Sequence, residues 1–160
     1  MTECTIPGVI IRSLKRHDDQ RGWLMELFRK DELPDTLLPA MSYVSMTKPA
    51  VMRGPHEHKN QTDYFCFIGP STFRLYLWDN RPDSPTTGQR YCCDCGEANP
   101  TAAIVPPGVV HAYENIGSVE GIVYNAPDKL FAGEQRNEPV DEIRHEDDPT
   151  GKFRIDDFDI

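Results

Sequence analysis

The chain has 160 residues, of which 38% are hydrophobic and 27% are charged, a composition typical of one globular domain rather than of a disordered segment. Its formal net charge of -9 disfavours nucleic-acid binding, which needs a basic surface against phosphate. No run approaches the roughly 20 apolar residues of a membrane helix, and the first residues lack the pattern of a secretory signal. We therefore expect a single domain over 1–160, in the cytoplasm and without membrane contact.

The five cysteines do not indicate a disulfide scaffold, because their number is odd and no secretory signal precedes them. Cys92, Cys93 and Cys95 form a cluster, but structural zinc usually needs two separated ligand pairs. A strand explains the cluster better, with Cys93 and Cys95 on one face and Cys92 on the other.

Short alternating segments, separated by fourteen prolines and eleven glycines, dominate the chain. Phe73, Leu75 and Leu77, for example, recur with the period of two that defines one face of a strand. Helical signal is confined to a short stretch over 30–38. Many short strands between turns predict an all-β sandwich or barrel. The segments predicted as strands are 8–13, 23–29, 42–47, 63–69, 71–79, 89–95, 101–106, 109–115 and 121–126.

Two histidine motifs are the most informative local features. His56 and His58 lie two apart and should share a strand face, and His111 follows a Pro-Pro-Gly turn at the start of another strand. The spacing resembles the two motifs of the cupin superfamily, which implies a double-stranded jelly-roll β-barrel. In metal-binding cupins the matching positions would ligate one divalent transition metal ion. These positions are His56, His58, Asp63 and His111.

A more particular resemblance extends over about residues 6–149. The segments that carry it are 19–22 (Asp-Gln-Arg-Gly), 26–29, 53–56 (Arg-Gly-Pro-His), 79–81 (Asp-Asn-Arg), 84–88 (Ser-Pro-Thr-Thr-Gly) and 105–111. In this order they resemble the dTDP-4-dehydrorhamnose 3,5-epimerase family. Ser-Pro-Thr-x-Gly after Asp-x-Arg is not a general cupin feature, so the resemblance is specific.

The resemblance implies an isomerase that acts on a nucleotide-linked 4-keto-6-deoxy sugar without a cofactor. The ketone acidifies the neighbouring C–H bonds, a base removes a proton, and an acid returns one on the opposite face. By resemblance, His56 is the base and Tyr124 the acid. Imidazole suits the base because its ordinary pKa lies near neutrality.

The resemblance also implies residues that bind the substrate. Arg53, His58 and His111 are expected to bind or polarise the sugar, and Phe131 to stack on the nucleobase. Arg21 and Glu26 are expected to contact the nucleotide, which in this family they would do across a dimer interface. The chain is therefore expected to be a homodimer, with about 1–50 at the interface and 150–160 as an acidic tail.

The sequence also departs from the family. The family lysine in the strand after the His motif is matched here by Asp63 or Thr62, although an acidic residue there would repel an enolate. The chain ends before the family's aspartate that pairs with the catalytic histidine, for which Asp156, Asp157 and Asp159 are candidate replacements.

These departures leave several alternatives open. The enzyme could act on another sugar nucleotide or at one carbon only, or be a 3,4-ketoisomerase, whose His-x-His-Lys motif resembles 56–59. Outside this chemistry, it could be a metal-dependent cupin that uses the four positions named above. The last alternative is a cupin that binds a sugar without turnover.

Overall fold

The computed structural model describes residues 3–158, which form two five-stranded antiparallel sheets and a two-stranded hairpin. The strands are β1 Ile10–Ser13, β2 Arg16–Asp19, β3 Gly22–Met25, β4 Tyr43–Thr47, β5 Met52–Glu57, β6 Asp63–Gly69, β7 Thr72–Asp79, β8 Arg90–Gly96, β9 Thr101–Val105, β10 Val109–Asn115, β11 Gly121–Asn125 and β12 Ile143–Arg144. Three one-turn 3₁₀ helices cover Lys30–Glu32, Glu134–Arg136 and Ile155–Asp157.

The first sheet has the order β1-β9-β6-β11-β4 and the second has the order β12-β5-β10-β7-β8. Strands β2 and β3 form the separate hairpin. The predicted all-β class is confirmed. No helix among residues 3–158 is long and apolar enough to cross a membrane.

The core lies between the two sheets and follows from strand alternation. Phe73, Leu75 and Leu77 of β7 and Cys93 and Cys95 of β8 all belong to this central cluster and are buried. Alternate residues of the same strands lie on the outer face of the second sheet. The predicted arrangement of the cysteines is confirmed, and all five are free thiols.

The outer face of the second sheet is covered by the C-terminal segment. Phe153 and Phe158 contact the Trp78 ring edge to face at centroid distances of 5.9 and 5.1 Å, and Ile155 packs against the same cluster. The segment predicted as an acidic tail is therefore not free in solvent over 150–158. Its aromatic residues stabilise the sheet that carries His56.

Some predicted element boundaries were wrong. The stretch 30–38, predicted to form a short helix broken at Pro34, forms only the 3₁₀ turn Lys30–Glu32, which ends before that proline. The strand predicted over 23–29 ends at Met25. Strand β2 has the polar sequence Arg-His-Asp-Asp and is exposed throughout, so no alternation marks it.

The Asp-x-Arg and Ser-Pro-Thr-x-Gly segments form one turn around the buried carboxylate of Asp79. Its oxygens accept hydrogen bonds from Arg81 Nε at 2.8 Å, Ser84 Oγ at 2.5 Å and Thr86 Oγ1 at 2.6 Å. Burial opposes ionisation of Asp79, but these donors outweigh it and hold its pKa below the usual value. The motif thus forms the turn that connects β7 to β8 and holds it in place through Asp79.

We expect Asp79→Asn to lower the free energy of unfolding at neutral pH by about 2–4 kcal/mol, because buried donors lose a charged acceptor. Since the folded-state pKa is depressed, this stabilisation is present above the unfolded pKa of about 3.9 and is lost as the pH falls below it. Urea unfolding at pH 7 and pH 3 measures both effects. Asp94→Asn is the matched control, because Asp94 forms an exposed ion pair with Arg74. Equal losses of unfolding free energy in Asp79→Asn and Asp94→Asn at pH 7 would contradict this account.

Candidate active site

A cavity of about 1180 Å³ opens at one end of the barrel, between the mouth of the two sheets and the segment 127–146. Both sheets contribute to its wall, which places polar side chains of β4, β5 and β10 around one space. The lining side chains on which the site depends are Tyr43, Arg53, His56, His58, Tyr113 and Phe131.

The Arg-Gly-Pro-His motif forms an irregular part of β5. The pairing with β10 shifts register between the His56–His111 pair and the Arg53–Tyr113 pair. Arg53 and His56 therefore both line the cavity although they are three residues apart. Gly54 has φ +84°, and a Cβ at this position would lie 2.6 Å from the carbonyl oxygen of His111. Only glycine fits here.

Three imidazoles converge on the inner end of the cavity. The ring centroids of His56 and His111 are 4.4 Å apart, and His58 lies 5.9 Å from His56. One ring nitrogen from each of the three lies within 4.8 Å of the other two. The prediction that His56 and His58 share a face is confirmed.

Asp63 is the buried charge at the base of this cluster, with 1% of its surface exposed. Its Oδ2 lies 3.1 Å from His58 Nε2 and 3.3 Å from His111 Nε2. Its Oδ1 accepts hydrogen bonds from Asn125 Nδ2 at 2.8 Å and Gln61 Nε2 at 3.0 Å. Asp63, one of the two residues that could match the family lysine, is thus a buried carboxylate with two imidazoles beside one oxygen and two amide donors on the other.

The charges of the cluster are set by this pairing. Burial opposes ionisation of Asp63, but His111 and His58 lower its pKa. Burial would lower the pKa of His58, but the Asp63 carboxylate raises it to about 9. Burial and the neighbouring His111 lower the pKa of His56 to about 2. At neutral pH the cavity therefore presents a neutral imidazole at His56 beside a cationic one at His58.

Asp141 holds the segment 127–146 against the barrel. Its carboxylate accepts backbone N–H bonds from Lys59 at 2.8 Å, Asn60 at 2.8 Å and Gln61 at 3.0 Å. Its backbone carbonyl contacts Nδ1 of His58, which fixes that nitrogen as a donor because a carbonyl only accepts. This one residue orients His58 and closes one side of the cavity.

Tyr124 does not reach the cavity. Its neighbours in β11 point inward: Val123 belongs to the central core and Asn125 bonds to Asp63. Tyr124 instead packs against the cluster on the outer face of the first sheet, which contains Tyr64 and Cys66. Successive side chains of a strand point to opposite faces, so the prediction of Tyr124 as the acid opposite His56 is wrong for this structure.

The other predicted site residues divide into two groups. Phe131 lies at the rim of the cavity and is 56% exposed. His111 is 1% exposed and packs against the His56 ring without lining the cavity, so its predicted direct contact with the sugar is wrong for this structure. Arg21 lies in the exposed hairpin, where it pairs with Asp19, and Glu26 follows that hairpin; neither lines this cavity.

The candidate replacements for the family's histidine-pairing aspartate do not reach His56. Asp156 pairs with Arg154, and Asp157 lies 3.8 Å from Arg90. Asp159 lies outside the described residues. Within residues 3–158 no carboxylate hydrogen-bonds to the His56 imidazole, so that prediction is wrong for Asp156 and Asp157.

Four further residues belong to the site although no motif predicted them: Tyr43, Tyr113, Asn125 and Asp141. Alternation in β11 could have found Asn125, because Val123 is an evident core residue and Asn125 shares its face. No local pattern could have found Asp141, whose role depends on contacts with residues about 80 positions away.

The two facing sheets and the imidazole cluster at their mouth define a barrel of the cupin class with a site suited to proton transfer. The chain belongs to the dTDP-4-dehydrorhamnose 3,5-epimerase family, whose sequence profile matches residues 3–148. It is accordingly a sugar-nucleotide epimerase or isomerase, which confirms the predicted family, fold class and class of enzyme.

Individual relatives agree with the family. The probable low-salt glycan biosynthesis epimerase Agl13 of Haloferax volcanii is 38% identical over 83% of this chain and 85% of its own length. A dTDP sugar isomerase from Desulfovibrio desulfuricans G20 has the same fold, with a TM-score of 0.79 over 96% of this chain and 94% of its own, at 21% identity. ChmJ of Streptomyces bikiniensis, a 3'-monoepimerase solved in complex with dTDP-quinovose, has a TM-score of 0.76 at 20% identity over 90% of this chain and 72% of its own. These findings do not support the alternatives of a metal-dependent cupin or a non-catalytic binder.

We expect Asp63→Asn to lower the pKa of His58, because the substitution removes the negative charge that raises it. Titration of the imidazole C–H signals by NMR measures the shift. The signal of His17, on the exposed hairpin, is an internal control and should not change between the two proteins. An unchanged His58 titration would contradict the charge pairing described above.

Proposed function

We propose that the enzyme epimerises a nucleotide-linked 4-keto-6-deoxy hexose, with His56 as the base that removes a proton next to the ketone. The observation that carries this proposal is the position of the His56 imidazole, which lines a cavity large enough for such a ligand, beside the imidazole of His58. A neutral imidazole has a lone pair available to accept a proton.

The charged neighbours of His56 support the enolate that forms when the C–H bond breaks. The electron pair of that bond moves to the ketone oxygen, where negative charge develops. Cationic His58, whose ring lies 5.9 Å from that of His56, places positive charge at the inner end of the cavity. We assign His58 the role of the family lysine, because the Asp63 carboxylate is paired with it and is not a free negative charge.

The outer part of the cavity supports binding of a nucleoside diphosphate. Lys129 and Arg136 line it, and neither forms an ion pair with another described residue. Arg53 is held by hydrogen bonds to Thr47 Oγ1 at 2.9 Å and the Met46 carbonyl at 2.8 Å, so its guanidinium is pre-oriented. Phe131, exposed at the rim, offers a ring on which a nucleobase can stack.

We further propose that the reaction needs neither a metal nor an organic cofactor. The three imidazoles are close enough to suit a transition metal, so this proposal rests on the chemistry. The ketone of the substrate already acidifies the C–H bond, and Asp63 already balances the charge of the imidazoles.

The enzyme is proposed to be a cytoplasmic homodimer. Five free thiols suit a reducing compartment. Strand β4 is an edge strand, and its outward-facing Val44 and Met46 are 61% and 44% exposed. A second copy that covers this edge could bring the exposed hairpin, with Arg21 and Glu26, to the cavity of its partner.

We expect the wild-type enzyme to incorporate deuterium from D₂O next to the ketone of dTDP-4-keto-6-deoxyglucose. His56→Asn should reduce this exchange by about 10²–10⁴-fold, because the base is lost. Mass spectrometry of the recovered sugar nucleotide measures the exchange, and NMR assigns it to one or both carbons next to the ketone.

The control for this prediction is the same assay after treatment with EDTA, accompanied by elemental analysis of untagged protein. Unchanged exchange in metal-free protein supports the proposed chemistry. Exchange that disappears with EDTA and returns with one metal ion per chain contradicts the cofactor-free proposal.

The shared site predicts complementation between two defective variants. Arg21→Ala and His56→Asn should each be weak alone, but a mixed dimer would combine His56 of one chain with Arg21 of the other. Exchange activity should therefore recover after the two proteins are unfolded and refolded together. Sedimentation measures the dimer, and Val44→Asp should weaken it whereas Val119→Asp, on the exposed loop before β11, should not. A monomeric wild type, or no recovery on mixing, would overturn the shared site.

A further inference from the structure

The proposed reaction needs a proton donor on the face of the sugar opposite His56, and Tyr124 packs on the far side of the sheet. We propose that Tyr43 of β4 is this donor, so that the catalytic phenol comes from a different strand than the family motif suggests. This inference rests on the proposed function.

Contacts of β4 with β5 and β10, on the opposite sheet, show which side chains of β4 lie near the imidazoles. At one end, Thr47 Oγ1 of β4 accepts a hydrogen bond from Arg53 Nε of β5 at 2.9 Å. Two residues back along β4, Ser45 Oγ lies 2.9 Å from Tyr113 Oη of β10. Side chains two apart share a face, so Tyr43 is the next side chain of β4 on the side of the cavity, which it lines.

The same step along β10 leads from Tyr113 to His111, which pairs in register with His56. A continuous set of contacts links Tyr43 on the first sheet to His111 on the second sheet. Asn125 Nδ2 lies 2.9 Å from Tyr43 Oη and 2.8 Å from Asp63 Oδ1, and Asp63 Oδ2 lies 3.3 Å from His111 Nε2. Tyr43 and His56 therefore lie on opposite sheets around one end of the cavity, as an inversion mechanism requires.

The hydrogen bonds of Tyr43 leave its own proton available. The amide oxygen of Asn125 accepts the backbone N–H of Tyr64 at 3.0 Å, which fixes the orientation of the amide group. Its NH₂ group therefore donates to Tyr43, and the phenol oxygen is an acceptor in that bond. No described residue accepts the Tyr43 O–H, so this proton can be directed into the cavity.

Tyr43 also retains that proton until it is needed. Its partial burial raises its pKa to about 12, against which the Asn125 hydrogen bond acts. His56 takes the proton from the C–H bond, and the electron pair moves to the ketone oxygen. The enolate carbon then takes the phenolic proton on the opposite face as the C=O bond re-forms. The Asn125 N–H stabilises the phenolate, which recovers a proton from water while the His56 imidazolium releases one.

Tyr113 is the competing phenol, since it also lines the cavity. It lies beside Arg53 rather than beside His56, and its oxygen is already bonded to Ser45. Tyr43 is 45% exposed whereas Tyr113 is 4% exposed, so a substrate reaches Tyr43 more readily.

The test separates removal of the proton from inversion. Wild type, Tyr43→Phe, Tyr113→Phe and Tyr124→Phe are incubated with dTDP-4-keto-6-deoxyglucose in D₂O. Deuterium incorporation is measured by mass spectrometry, and configuration is read by NMR after borohydride reduction. In Tyr43→Phe we expect inversion to fall by about 100-fold or more while exchange stays within about tenfold, because His56 still removes the proton and returns a deuteron to the same face. Tyr124→Phe should retain both activities.

A merely structural role of Tyr43 would lower exchange and inversion together, and that result overturns the inference. Uncoupled exchange in Tyr113→Phe or Tyr124→Phe, with normal inversion in Tyr43→Phe, also overturns it and leaves the proposed function intact. Absence of exchange in the wild type removes the proposed function and this inference with it. Thermal unfolding of Tyr43→Phe, expected to match the wild type closely, verifies that the variant is folded.

Discussion

The pairing of the Asp63 carboxylate with two imidazoles is the interaction on which the site depends. A buried charge is tolerated only when it is paired and hydrogen-bonded, and Asp63 on one sheet meets His111 on the other sheet and His58, which directly follows β5. The contact between Asp63 and His111 therefore links the two sheets beside the cavity. The Asp63 carboxylate also makes His58 cationic, whereas burial and the neighbouring His111 keep His56 neutral.

This pairing changes how a departure from the family is understood. A carboxylate in place of the family lysine would repel an enolate if its charge were free. In the folded protein the charge is balanced, and the histidine at position 58 carries the positive charge instead. The two departures, at Asp63 and His58, thus compensate each other. The same network reaches Tyr43 through Asn125, which links the cationic centre to the proposed proton donor.

The backbone around the site has constraints of its own. Gly54 lets β5 approach the carbonyl of His111, and the resulting irregularity gives Arg53 and His56 a common face. Asp141 closes the opposite side by binding three successive backbone N–H groups. The C-terminal aromatic residues support the second sheet from outside. Positioning of the imidazoles therefore draws on both sheets and on the segments that cover them.

The sequence by itself determined the all-β class, the faces of β7 and β8, and the family, because strand alternation and motif spacing are local properties of the chain. The resemblance to the two cupin motifs also predicted that His56, His58 and His111 belong to one site. Contacts between distant strands decide that Asp63 is buried and that Asn125, rather than Tyr124, points to the inner side of β11. Alternation states which residues of a strand share a face, but which face is inside depends on pairing between strands distant in the chain.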